Sequence, residues 1–217
     1  MEPIEIFEVD AKGARQPAAS VPDWDTAIGL MIGRRIPGLN AHGQMTGAIL
    51  ERVSRLEQLT HLDLSGCPVT DAGTAHPRNC EHLERVDLFR TPTGDGAIQA
   101  LAGKPHLRHF KSGNRVTDAG LALLHQFPVF KTWQPDREPS MGLLHFDAEP
   151  NYLLLRGPFT DRGLATLAGL DGLFALQAAG RSASSWLAGI RCHRRSNALS
   201  RRHAAPALSD VPGYRGR

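Results

Sequence analysis

A spacing of 24 residues recurs through the middle of this 217-residue chain. Leu59, Leu83 and Leu107 each open a similar segment, and a further apolar residue follows three positions later in all of them. A unit of this length is too small to bury its own apolar face, so consecutive units must stack on one another. The period therefore predicts a solenoid, which presents a broad surface rather than a pocket built for one reaction.

Each unit is expected to contain a strand, a turn and a short helix. Apolar and polar residues alternate in Leu62-Asp63-Leu64, as in a strand with one buried face. After a stretch rich in Gly, Pro and polar residues, good helix N-cap residues follow in each unit: Thr70-Asp71, Asp95 and Thr117-Asp118. Ile98 and Leu101 then follow at the three-residue spacing of a buried helical stripe.

This unit resembles the leucine-rich repeat, and it is most similar to the cysteine-containing subtype. Cys80 stands at the start of a unit, and Cys67 stands at the strand-exit position of that subtype. The TDAG runs at 70–73 and 117–120 resemble the TDAGL repeats common in bacterial proteins of this kind. The resemblance covers about residues 36–176. It implies an α/β solenoid with a parallel strand ladder on the concave side and short helices on the convex side.

One unit departs from the pattern on its helical side. Thr74 and Pro77 stand where the next unit has Ile98 and Leu101. Thr74 gives up apolar burial, and a proline inside a regular helix costs about 3 kcal/mol. We therefore expect a short or irregular segment there, in the weakest unit of the stack.

Three regions are expected along the chain. Residues 1–35 form an N-terminal cap and connector, in which Ile4 and Ile6 alternate with acids as in a capping strand and 13–22 is a connector. Residues 36–176 form the repeats. Phe130 and Trp133 open a fourth unit, and 134–149 is irregular because prolines interrupt it. Residues 177–217 form a basic tail.

The tail has a composition of its own. It contains eight Arg, no Lys and a single acid, Asp210, for a net charge of +7, while the residues before it carry −4. Three interpretations of the tail compete. It is out-of-frame sequence from a GC-rich gene, a disordered basic arm that binds nucleic acid, or a solvated linker. The abrupt loss of the repeat favours the first interpretation. It also suggests that the chain is a truncated array without a polar capping unit.

Other features narrow the class of protein. No apolar run is long enough to span a membrane, and the acidic N-terminus does not read as a signal sequence. The odd number of cysteines, two of them at repeat positions, argues against a disulfide framework, so a cytoplasmic setting is expected. No catalytic motif, metal-ligand spacing or cofactor fingerprint is present, and we expect no cofactor and no metal.

The strand face of the repeats carries the candidate binding residues. Side chains between the repeat leucines should point away from the core in two exposed rows. The first row holds His61, Arg85, His109, Thr132 and Tyr152; the second holds Asp63, Asp87, Lys111 and Leu154; Phe89 lies just beyond. Any one of these residues can be a merely solvated side chain. Together, charge, imidazole and aromatic rings are typical of a protein-binding patch. We expect His61, Asp63, Arg85, Asp87, Phe89, His109, Lys111 and Tyr152 to form the site.

The sequence thus predicts a non-enzymatic protein that binds another protein through its strand face. The resemblance implies an alternative role like that of the substrate receptors of ubiquitin ligases, although no F-box-like helical pattern precedes the repeats. Nucleic-acid binding through the Arg-rich tail is a second alternative. An enzyme with its site in 134–149 is a third, and that stretch offers Asp136, Glu138, His145 and Asp147.

Overall fold

The computed structural model describes residues 2–128, 140–143, 152–156, 159–170 and 175–179. Within them, nine strands form one sheet that begins with an antiparallel hairpin and continues as a parallel ladder. Short helices connect the strands on the opposite side. The architecture is the leucine-rich-repeat solenoid that the sequence predicts.

The N-terminal cap is a β-hairpin followed by a helix. Strand β1 (Ile4–Val9) pairs with β2 (Arg15–Val21) on one side and, also antiparallel, with the first repeat strand on the other. Helix α1 (Trp24–Arg34) follows. A strand is present where a capping strand was predicted, and residues 13–22, expected as a connector, are largely a strand as well. The Asp10 carboxylate accepts hydrogen bonds from the backbone N–H groups of Lys12 and Ala14 and so closes the hairpin turn.

The repeats contribute parallel strands in strict register. The strands are β3 (Gly38–Asn40), β4 (His61–Asp63), β5 (Arg85–Asp87), β6 (His109–Lys111), β7 (Ser140–Leu143), β8 (Tyr152–Arg156) and β9 (Ala175–Ala179). The connecting helices are α2 (Gly47–Val53), α3 (Asp71–Thr74), α4 (Asp95–Leu101), α5 (Asp118–Ala122) and α6 (Asp161–Ala165), with 3₁₀ turns at His76–Asn79 and Leu123–Gln126. A continuous core lies between these two layers, built from the repeat leucines and their equivalents.

The unit with Thr74 and Pro77 has the short convex segment that the sequence predicts. Thr74 is only 2% exposed, and its hydroxyl donates to the backbone carbonyl of Asp71. Pro77 is also buried, but it lies in the first turn of the 3₁₀ segment, where its missing N–H has no helical partner to lose. The expected steric conflict is therefore absent, because the regular helix ends before the proline.

Thr74→Ser is expected to lower the free energy of unfolding by about 1 kcal/mol. The substitution keeps the hydroxyl that donates to Asp71 but removes one methyl from the core. The matched control is Thr26→Ser in α1, where the threonine is exposed and a change within about 0.5 kcal/mol is expected. Urea unfolding followed by circular dichroism measures both variants. An equal effect at the two sites would show that residue 74 does not lie in the core.

The irregular stretch contains a strand that the sequence analysis did not predict. Strand β7 pairs with β6, so that Ser140 lies opposite His109. The strand that was expected to open at Phe130 and Trp133 falls on residues outside the described part of the chain. On the helical side, α5 packs directly against α6, although β7 lies between β6 and β8. A strict repeat would have one strand for each helix. In the described residues, β7 is therefore an additional strand between the units of α5 and α6.

On the helical side, aspartates connect successive units. Asp71 accepts from the backbone N–H of Gly94 at 2.7 Å, and Asp95 accepts from the N–H of Thr117 at 2.8 Å. Asp118 accepts from both the N–H and the hydroxyl of Thr160. The sequence predicted that these acids cap their own helices. Each carboxylate instead accepts a hydrogen bond from a backbone N–H at the start of the next helix. We call these three residues the aspartate ladder.

The predicted basic tail lies outside the described residues except for 177–179. Those three residues complete β9, so the repeat strand extends past the predicted boundary at residue 176. The interpretations of residues 180–217 stay predictions.

Candidate functional site: the strand face

The strand register brings most of the predicted site residues into two rows. His61, Arg85 and His109 lie opposite one another on adjacent strands, and Asp63, Asp87 and Lys111 form the neighbouring row. Ser140 takes the place expected for Thr132, which lies outside the described residues. Tyr152 opens β8 at the position that continues the first row. The backbone therefore places these residues on one face, which we call the strand face.

The N-terminal hairpin covers one end of the strand face. Phe7 lies opposite Gly38 in the sheet, and its ring meets the imidazole of His61 edge to face at 6.2 Å between centroids. A Cβ atom at Gly38 would lie only 2.3 Å from the Phe7 ring, so glycine is required for this approach. The Arg15 guanidinium stacks 4.7 Å from the centre of the same ring and donates to the Asp63 carboxylate at 3.3 Å.

This cover corrects one prediction about the site. His61 and Asp63 were expected to be exposed, but they are only 5% and 9% exposed. The physical reason is the Phe7 ring and the Arg15 side chain, which come from the cap rather than from a repeat. These two residues of the hairpin were missed, because nothing in the 24-residue pattern relates them to the strand face.

Arg85 lies at the centre of the strand face. It is half-buried, and its Nε atom has no hydrogen-bond partner among the described residues. His61 and His109 lie on the strands to either side. Burial and the Arg85 charge lower the pKa of each histidine to about 4, so both rings are neutral at pH 7. They are therefore packed, uncharged neighbours of a cation rather than the surface histidines that the sequence suggested.

The far end of the described surface is a salt bridge beside an aromatic ring. Lys111 Nζ lies 2.9 Å from a carboxylate oxygen of Asp87, and both side chains are half-buried. Phe89 is also half-buried, and the Arg90 guanidinium lies 5.2 Å from the centre of its ring. This end combines apolar area with paired charge.

The acids of the second row also shape the turns that follow the strands. Asp63 Oδ1 accepts from the backbone N–H of Ser65 at 3.1 Å, and Asp87 Oδ1 accepts from that of Phe89 at 2.9 Å. Asn40 makes the equivalent bond to His42 at 3.1 Å. A recurring Asn or Asp at the strand exit was the sequence signal for this role. Substituting these acids would thus disturb the turns as well as the surface.

No metal site or reactive centre emerges from the described residues. No group of three or more His, Cys, Asp or Glu side chains in this part of the chain converges to hold a metal ion. Cys67 and Cys80 are free thiols, and burial raises the pKa of both, which disfavours the reactive thiolate. The residues considered for an enzyme site, Asp136, Glu138, His145 and Asp147, lie outside the described ranges. None of the helices described is long and apolar enough to cross a membrane.

The match to a family model agrees with the repeat pattern. Residues 58–74 match the family model described as Leucine Rich repeat. Among solved structures, the chain is similar to the leiomodin-1 actin-binding site 2, at 11% sequence identity and a TM-score of 0.41, with 85% of this chain and 98% of that chain covered. No curated protein matches the chain.

Proposed function

We propose that this chain is a non-enzymatic protein-interaction module that binds another protein through its strand face. The observation that carries the proposal is the arrangement around Arg85, where a half-buried cation with an unbonded Nε lies between two histidines and beside two salt bridges. Partly desolvated arginine and aromatic side chains are enriched where binding energy concentrates in protein interfaces.

The N-terminal hairpin removes two of the predicted residues from the surface that a partner can contact. Because His61 and Asp63 lie beneath Phe7 and Arg15, they support the surface rather than offer contact area. The contacts in this proposal come from Arg85, Asp87, Phe89, His109 and Lys111, and the register adds Tyr152.

Arg85→Gln combined with Lys111→Gln is expected to weaken partner binding at least about tenfold, the effect of losing a charged hydrogen bond in an interface. Glutamine is preferred to glutamate because a new carboxylate would lie beside Asp87. A photo-cross-linking residue at the exposed position 90, beside the strand face, captures the partner from an extract of the source cells. Unlabelled wild-type protein and the double variant then compete for that capture.

Two controls accompany this experiment. A cross-linker at position 55, in the exposed part of the chain after α2, should not capture the same partner. The double variant should also remain folded and unfold cooperatively, because Arg85 and Lys111 lie on the strand face and not in the repeat core. Equal competition by wild type and double variant would contradict the proposal.

The proposal includes two finer assignments. We assign the repeats to the cysteine-containing, TDAGL-like subclass, and this is supported by the burial of Cys67 and Cys80 at their repeat positions and by the aspartate ladder. We also assign the protein to the cytoplasm, and the two free buried thiols support a reducing setting. No contact in the described residues favours the ubiquitin-ligase or nucleic-acid alternatives.

A further inference from the structure

The charges of the strand face do not balance. Among the described side chains of its two rows and the covering hairpin, Arg15 is paired with Asp63 and Lys111 with Asp87. Arg85 lies between these pairs and forms no salt bridge of its own with a described side chain, although the charges of Asp87 and Asp63 act on it. The flanking His61 and His109 are neutral at pH 7 and cannot supply the missing negative charge.

Arg85 also leaves a hydrogen-bond donor unused. Its Nε atom is buried and unbonded, whereas most buried polar atoms in folded proteins have a partner. The buried Nε itself lies out of reach of a partner, and it is the only Arg85 nitrogen that is both buried and unbonded. The two terminal nitrogens of a guanidinium also form a fork that matches the two oxygens of a carboxylate. A carboxylate bound to those terminal nitrogens would pair the charge of Arg85.

We propose that Arg85 receives a single Asp or Glu side chain from the partner protein. This inference rests on the proposed function and names the chemistry that the strand face recognises. Asp63 and Asp87 lie in the adjacent row and would repel a chain of regularly spaced phosphates. A single carboxylate can instead approach Arg85 between the two neutral imidazoles, so a protein segment fits better than a nucleic acid.

The test follows the Arg85 Nε–H resonance in the full-length ¹⁵N-labelled protein at about pH 7.5 and about 0.02 M salt. The probe is a Gly-rich peptide with a single Glu, and the matched control peptide has a single Gln at the same position. Arg85→Lys assigns the resonance by its disappearance. We expect the Glu peptide to shift it and the Gln peptide to leave it unchanged. Arg85→Gln should weaken Glu-peptide binding about tenfold, whereas Arg55→Gln, at an exposed arginine elsewhere, should not change it.

Three results would overturn this inference. An equal shift by both peptides would exclude recognition of the carboxylate. The absence of a shift with either peptide would mean that Arg85 binds no carboxylate. A larger shift by a dinucleotide of the same charge than by the Glu peptide would make phosphate the ligand. If the peptide test fails while the cross-linking competition still depends on Arg85 and Lys111, only the carboxylate assignment is lost and the proposed function stands.

Discussion

Gly120→Ala is expected to lower the free energy of unfolding by roughly 2–4 kcal/mol. A Cβ atom at this position would lie 2.3 Å from a carboxylate oxygen of Asp95 and 2.8 Å from Val116 Cγ1. Both contacts are far too short, so the Asp95 side chain must move. That carboxylate accepts from the backbone N–H and the hydroxyl of Thr117, at 2.8 and 2.5 Å. The substitution therefore combines a steric clash with the loss of two hydrogen bonds between units.

The control for this experiment is Gly29→Ala in α1. No atom lies within 4 Å of a Cβ built there, and the residue is in the middle of a helix. Alanine should stabilise that site by about 0.4–1 kcal/mol, so the two Gly→Ala changes are expected to differ in sign. Urea unfolding at neutral pH measures both.

A second background separates the clash from other effects of Gly120→Ala. In an Asp95→Ala protein the closest clashing atom is gone, so adding Gly120→Ala should cost at least about 1 kcal/mol less than in wild type. A cost that is the same in both backgrounds would mean that the aspartate ladder does not couple these units in the way the structure indicates.

Acidification from about pH 7.5 to about pH 4.5 is expected to remove on the order of 2 kcal/mol of stability through His61. Burial, with the charges of Arg85 and Arg15, lowers the folded-state pKa of His61 to about 4 from 6.5. The unfolded chain therefore binds a proton first as the pH falls. The stability from the neutral ring is fully present above about pH 6.5 and is lost progressively towards pH 4. His109 acts in the same direction, because its pKa is also lowered to about 4.

The measurement is the free energy of unfolding in urea at a series of pH values. His61→Gln should flatten the dependence between pH 6.5 and 4.5, and His82→Gln, at an exposed histidine, should leave it unchanged. The carboxylates whose pKa is lowered, Asp10, Asp23 and Asp118, start from 3.8 and lose their contribution below this window. If His61→Gln and wild type share one slope, the buried imidazole does not control acid stability.

The fold could be predicted where local pattern and long-range packing follow the same period. Strands at 61–63, 85–87 and 109–111 and the helix at 95–101 follow from apolar residues that recur every 24 positions. The short segment at Thr74 also followed from its sequence. The strand at 140–143 did not, because it carries no repeat leucine pattern and is defined by its pairing with β6.

The candidate site divides in the same way. The sequence alone determined which residues share the strand face, because register follows from periodicity, and so His61, Arg85 and His109 align. Only the tertiary structure decided which of them are accessible. Arg15 and Asp63 are 48 residues apart and meet because the N-terminal hairpin folds over Gly38, a contact that no repeat encodes. The unpaired charge of Arg85 depends on those non-periodic contacts, since burial and neighbouring charges are properties of the packed chain.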